Sequence, residues 1–200
     1  MMPERGTRSS QRQRTRRDLL EAAGRLAKQG KKPTLDEVAA EALVSRATAY
    51  RYFPNIEALW TEAALHVAFP DPGELFDADE STDPIERLQK ADLAIDRMIE
   101  ENESALRVML AQSLERSLGG DVPLNRQNRR SLLIDAALDP LRAHFSPPEY
   151  KRLKQGLALL MATEATIVFK DVLQLSSDEA RQVRHWAMTA MVAAARKKAD

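Results

Sequence analysis

The sequence predicts an all-α protein, and three observations carry that expectation. Apolar residues recur at three- and four-residue spacing, caps and breakers fall between those stretches, and no strand-length alternation of apolar and polar residues occurs. Nine helices follow from the pattern.

Residues 1–12 are polar and basic without periodicity, so no fixed structure is expected there in isolation. From about 13 to 28, Leu19, Leu20, Ala23, Leu26 and Ala27 share one helical face, and Gly30 is the stop signal. Thr34 followed by Glu37 is a capping box, in which the threonine hydroxyl accepts a first-turn N–H and the glutamate accepts the threonine N–H. The helix starting at Leu35 places Leu35, Val38, Ala39 and Ala42 at helical spacing and stops at Leu43-Val44. Ser45 then caps a second short helix from Arg46 to Phe53, which Pro54 ends by disfavouring the α region for the residue before it. Two short helices joined by a three- to four-residue turn form a helix-turn-helix, whose second helix reads the major groove of DNA.

Asn55 caps a helix to about residue 69, which Pro70-Asp71-Pro72-Gly73 breaks, and 70–82 is expected to be loop. Asp83-Pro84 supplies an N-cap and a first-turn proline for a helix that fades near Asn102. A further helix from there ends at Gly119-Gly120. Another is expected over about 124–145, kinked by Pro140, and a long one over about 146–175, opened by Ser146-Pro147. Ser176 or Ser177 caps the last helix, which ends in Arg196, Lys197 and Lys198.

A chain of 200 residues has room for one domain or two small ones, and without cysteine it forms no disulfide and no thiolate metal site. The basic N-terminus has no apolar stretch behind it, and the longest apolar run, 156–169, is short for a bilayer span and holds Glu164; a cytoplasmic protein is expected. Net charge is zero, yet residues 1–60 hold 12 Lys+Arg against 7 Asp+Glu, and the remainder carries the compensating acidic excess. The basic part contains the helix-turn-helix, as befits a head that neutralises phosphates on a body that stays off DNA.

The run TLDEVAAEALVSRATAYRYFPNIEAL, residues 34–59, closely resembles the DNA-binding segment of the TetR family, the tetracycline-repressor-like regulators. The resemblance is strong over 13–65 and architectural beyond. It implies three short helices for DNA and six for an effector-binding and dimerisation bundle, divided into an N-terminal arm with the helix-turn-helix (1–54), a connecting helix that is the first of the six (55–69) and the effector-binding and dimerisation domain (70–200). Two positions depart from the family pattern: Leu43 where glycine is usual, and Ile56 where lysine is frequent. A left-handed conformation at Leu43 costs about 1–2 kcal/mol.

Arg46, in the first turn of the reading helix, is the candidate for gripping guanine O6 and N7, against the alternative of a phosphate contact only. Thr48, Tyr50 and Tyr52 resemble the family's contact positions, with Tyr50 a core alternative and Phe53 assigned to the core. Thr34 and Ser45 stand at helix N-termini suited to anions. Ala47 and Arg51 complete the helix, and Arg14 belongs to a basic arm with Arg5, Arg8, Arg12, Arg16 and Arg17.

The resemblance places Leu65, Met98, Met109 and Met161 on helices around an effector cavity, although methionine at helical spacing also reads as core. Glu164, alone in an apolar run, fits a cationic or hydroxylated effector or an arginine across a dimer interface. Leu157, Leu160, Trp186, Ala190 and Ala193 are the candidate dimer contacts, with an intramolecular bundle as the alternative. His66, His144 and His185 form no metal-ligand spacing, no nucleophile or phosphate-loop motif occurs, and neither an enzyme nor a cofactor is expected. The expected function is a homodimeric, ligand-responsive regulator, and the alternative a helix-turn-helix that docks another protein.

Overall fold

The computed structural model describes residues 5–29, 33–118 and 128–196. The stop signals at Gly30 and Gly119-Gly120, the helix start near 124 and the terminal Lys197 and Lys198 lie outside the described residues.

Helix α1 (Arg5–Lys28) begins well before residue 13, contrary to the expectation of an unstructured arm. Its first half is rich in arginine and glutamine, good helix formers, and neither Pro nor Gly occurs over 7–23, so the packed second half propagates backward. Then come α2 (Leu35–Glu41), α3 (Arg46–Tyr52) and α4 (Ile56–Ala68). Asn55 caps α4 as expected, its Oδ1 accepting from the Ala58 N–H at 2.8 Å. Within the stretch expected to be loop, Asp71 caps a short α5 (Pro72–Phe76), accepting from the Gly73 and Glu74 amides at 2.8 and 3.2 Å. Asp83 opens α6 (Pro84–Glu101), and α7 (Glu103–Leu118) follows after Asn102.

Helix α8 (Arg130–Leu138) passes into a 3-10 turn (Asp139–His144) at Pro140, where a kink was expected. The long helix expected over 146–175 is instead three pieces: α9 (Pro147–Leu160), α10 (Thr163–Ile167) and a π turn (Val168–Val172). Met161 (φ −87°, ψ 49°) and Ala162 (φ −129°, ψ 148°) leave the helical region. No Pro or Gly marks that break; Met161, Ala162 and Thr163 are all buried, and packing there outweighs local preference. Helix α11 (Ser177–Ala195) starts from a Ser176 capping box closed by Glu179.

The chain divides into two compact units, α1–α4 with α7, and α5, α6 and α8–α11. The core of the first is built by Leu19, Leu20, Ala23 and Leu26 of α1, Leu35, Val38 and Ala39 of α2, Ala49 and Tyr52 of α3, Phe53, and Leu59 and Ala63 of α4. Arg16 and Glu62 form a buried two-point ion pair across α1 and α4, Nε to Oε1 at 2.6 Å and Nη2 to Oε2, and the guanidinium lies 4.9 Å from the Phe53 ring centroid. Helix α7 packs on α4.

In the second unit α6 packs on α8 and α11, and α9 on the same two. A buried ionic cluster joins α6 to α11. Arg184 bonds Asp92 at 3.1 Å and Asp96 at 2.8 Å, His185 Nε2 meets Asp92 at 3.1 Å, and Arg181 stands 3.6 Å from Asp96. Burial pushes the Asp96 carboxyl above its ordinary value, with Arg184 opposing and Asp92 reinforcing the shift.

Candidate nucleic-acid interface

Both helices of the helix-turn-helix start from side-chain caps. Thr34 and Glu37 form the expected capping box, Thr34 Oγ1 accepting from the Glu37 amide at 3.3 Å and Glu37 Oε2 accepting from the Thr34 amide at 2.7 Å. Ser45 caps α3, its Oγ accepting from the Thr48 amide at 3.1 Å and sharing a 2.8 Å hydrogen bond with the Thr48 hydroxyl.

Between the helices Val44 N–H bonds Ala39 O at 3.0 Å and Leu43 N–H bonds Ala40 O at 3.1 Å, the paired bonds of a Schellman turn. That turn needs a left-handed residue just past the cap. Leu43 is that residue, with φ of 56°. Its side chain is 93 % exposed, so no burial offsets the backbone strain. Val44 tucks against the core and closes the turn.

Helical period divides α3 into two faces. Ala49, Tyr52 and the following Phe53 point into the core, whereas Arg46, Ala47, Tyr50 and Arg51 are exposed and Thr48 is partly so. Tyr52 is therefore removed from the DNA contacts: at 3 % exposure its ring is core, three residues after Ala49 on the inward face. Tyr50, with core as its alternative, is 49 % exposed and stays on the reading face. The Arg51 guanidinium stands 5.6 Å from the Tyr52 ring centroid.

Arg14 is exposed on α1, as are Thr34 and Ser45 at their caps. Arg16 leaves the basic arm, because its charge is spent inside the fold on Glu62. Arg46 reaches back across the turn to Asp36, Nη2 to Oδ2 at 2.5 Å, and Arg25 ties α1 to α2 through Glu41 at 3.0 Å. Sequence reasoning overlooked Asp36. An aspartate in a first helical turn reads as a partner of the helix dipole, and no local signal says that it also faces the first turn of the next helix.

The candidate effector residues fall in both units. Leu65 and Met109 belong to the first; Met98, Met161 and Glu164 belong to the second. Leu65, Met98 and Met161 are buried, and Met109 and Glu164 are partly buried. Two cavities in the second unit have other walls. One, about 280 Å³, is lined by Ser131, Arg142, Tyr150 and Lys151 among others; the second, about 450 Å³, by Ile85, Leu141, Val192 and Arg196 among others.

Among the candidate dimer contacts, Trp186 is 73 % exposed, Ala190 and Ala193 are exposed beside it on α11, and Leu160 is partly buried. Leu157 is withdrawn, since at 0 % exposure it is enclosed within its own protomer. His66 lies on α4, His144 in the 3-10 turn, and His185 against Asp92.

Residues 19–63 match the family of bacterial regulatory proteins, tetR family. No curated protein and no solved structure matched the chain. The matched span runs from the packed half of α1 into α4, and thus covers the helix-turn-helix whose caps, turn and exposed face are described above. Residues 19–63 are thus a TetR-family DNA-binding segment, the helix-turn-helix of a transcriptional regulator.

Proposed function

We propose that the protein acts as a homodimeric, ligand-responsive repressor that binds a pseudo-palindromic operator and is released from it by a small-molecule effector. The observation that carries the reading is that Arg46, Tyr50 and Arg51 of α3 are all exposed, on the basic end of the chain. One such helix reads only a half-site. Two copies related by a two-fold axis would set two reading helices about 34–36 Å apart, one turn of the duplex.

Support for pairing comes from α11, whose outer face exposes Trp186 beside Ala190 and Ala193; small residues let helices approach and a tryptophan supplies anchoring area. Support for effector control comes from α4. The buried Arg16–Glu62 pair makes α1 and α4 one body, so a tilt of α4 carries the helices packed on α1 with it. An effector preferring one spacing of the paired heads would then shift operator affinity by its differential affinity for the two states. The cytoplasm, where the chromosome is, is the location this reading requires.

The test is a footprint on DNA flanking the protein's own gene, wild type beside Arg46→Ala, at two salt concentrations. A protected site with two-fold symmetry that weakens with salt and with the substitution is expected. Binding to DNA that ignores both, or retention of a protein partner in place of DNA, overturns the operator reading in favour of a docking module.

A further inference from the structure

We propose that Asp36 is a positioning residue for base reading, holding the Arg46 guanidinium at the angle from which it grips a guanine. The inference rests on the operator reading above and names the residue that sets its selectivity.

Arg46 Nη2 and Asp36 Oδ2 lie 2.5 Å apart, joining the first turn of α3 to the first turn of α2. The arginine side chain is otherwise exposed to solvent, and among the described residues Asp36 is its one ionic contact. A long exposed arginine samples many rotamers. Fixing one of its nitrogens narrows that set before DNA arrives, and pre-organisation of this kind favours the one geometry that fits. Guanidinium carries five N–H donors in a planar fork, so one Nη2 contact leaves Nη1 and the second Nη2 proton for guanine O6 and N7.

The aspartate is itself fixed. Its helix starts from the Thr34–Glu37 box, one of its oxygens is buried, and the Schellman turn and Ser45 cap set the distance between the two helix starts. A carboxylate beside a duplex is repelled by phosphates, so Asp36 cannot act by raising general affinity for DNA. Its two effects therefore separate. It raises discrimination at one base pair and lowers attraction to every sequence.

The experiment selects a pool of random duplexes with the full-length protein as wild type, Arg46→Ala and Asp36→Asn, and measures unfolding temperature and affinity for bulk duplex DNA alongside. The position read by Arg46 is the one whose preference disappears in Arg46→Ala. In Asp36→Asn the guanine preference at that position is expected to fall at least about fivefold, while other positions keep theirs and bulk affinity holds or rises. An unchanged guanine preference overturns the proposal, as does an Arg46→Ala protein that keeps every preference. An equal loss at all positions with a lowered unfolding temperature also overturns it, by showing Asp36 to be a helix-start residue only. A wild type without sequence preference at any position overturns the operator reading instead.

Discussion

Arg87 donates from Nη2 to the carbonyl of Ala136 at 2.9 Å, the oxygen that Pro140, four residues on, has no N–H to satisfy. The same guanidinium donates from Nε to Ala137 O at 3.2 Å, where Leu141 has left the helical region, and from Nη1 to Ser81 O at 3.2 Å. It is buried 4.3 Å from the Phe76 ring centroid. An arginine of α6 thus finishes the end of α8, where its positive charge also meets the negative end of the helix dipole.

Arg87→Ala should destabilise the protein by about 2–4 kcal/mol, since buried carbonyls are left without donors. Pro140→Ala restores an N–H for Ala136, so the double variant should lose less than the sum of the singles. Urea unfolding of the four proteins measures the coupling, and strict additivity would refute the assignment.

Much of the reading head was legible because its signals are local. Thr34 with Glu37, Ser45 before Arg46 and Asn55 after Pro54 are each caps whose partner stands within three residues, and each forms its bond in the fold. What stayed hidden depends on partners far along the chain. Arg16 reads as one more arginine of a basic arm until Glu62, 46 residues away, is folded against it. Asp92 and Asp96 carry no local sign of their partner, Arg184, which stands about ninety residues further on in α11. The two tyrosines of α3 both read as contacts, with core the alternative for Tyr50, and the fold divides them the other way: Tyr52 follows buried Ala49 by three residues, and Tyr50 is half exposed. The break at Met161 left no trace in the sequence, because buried packing rather than a breaker makes it.

Leu43→Gly should stabilise the protein. The left-handed φ of 56° strains a leucine that gains nothing from burial, and glycine adopts it without a Cβ clash. Glycine's larger unfolded-state entropy offsets part of the gain, leaving a net increase of about 0.5–1 kcal/mol. Thermal unfolding reads this, and a lowered midpoint would mean that the turn does not hold Leu43 in this conformation.

Asp96 gives stability a definite pH dependence. Burial raises its pKa in the fold above the unfolded value, so the folded state binds the proton more tightly. The contribution is fully present below the unfolded pKa and is lost as pH rises through the folded one. Asp96→Asn removes this titration. The stability of wild type relative to Asp96→Asn should therefore be highest in acid and fall with rising pH, by up to about 1.4 kcal/mol per unit within the window. Asp79 and Glu179, held low by Lys90 and Ser176, act in the opposite sense in both proteins and cancel in the difference. A difference that grows with pH would refute the sign.

The faces of α3 predict a clean separation between two substitutions two residues apart. Tyr52 is packed with Ala49, Phe53 and Leu59 in the first unit's core, so Tyr52→Ala should cost about 3–5 kcal/mol of stability, as for other buried aromatic truncations. DNA binding would then fail only because the head unfolds. Tyr52→Phe, which keeps the ring, should bind DNA as wild type does. Tyr50, like Arg46 and Arg51, is exposed, and Tyr50→Ala should leave stability within about 0.5 kcal/mol. It should nevertheless weaken DNA binding at a temperature where both proteins are folded. Unfolding curves and gel-shift titrations on the same four samples decide the matter: a folded Tyr52→Phe protein with lost DNA affinity would return Tyr52 to the interface, and an unfolded Tyr50→Ala protein would take Tyr50 out of it.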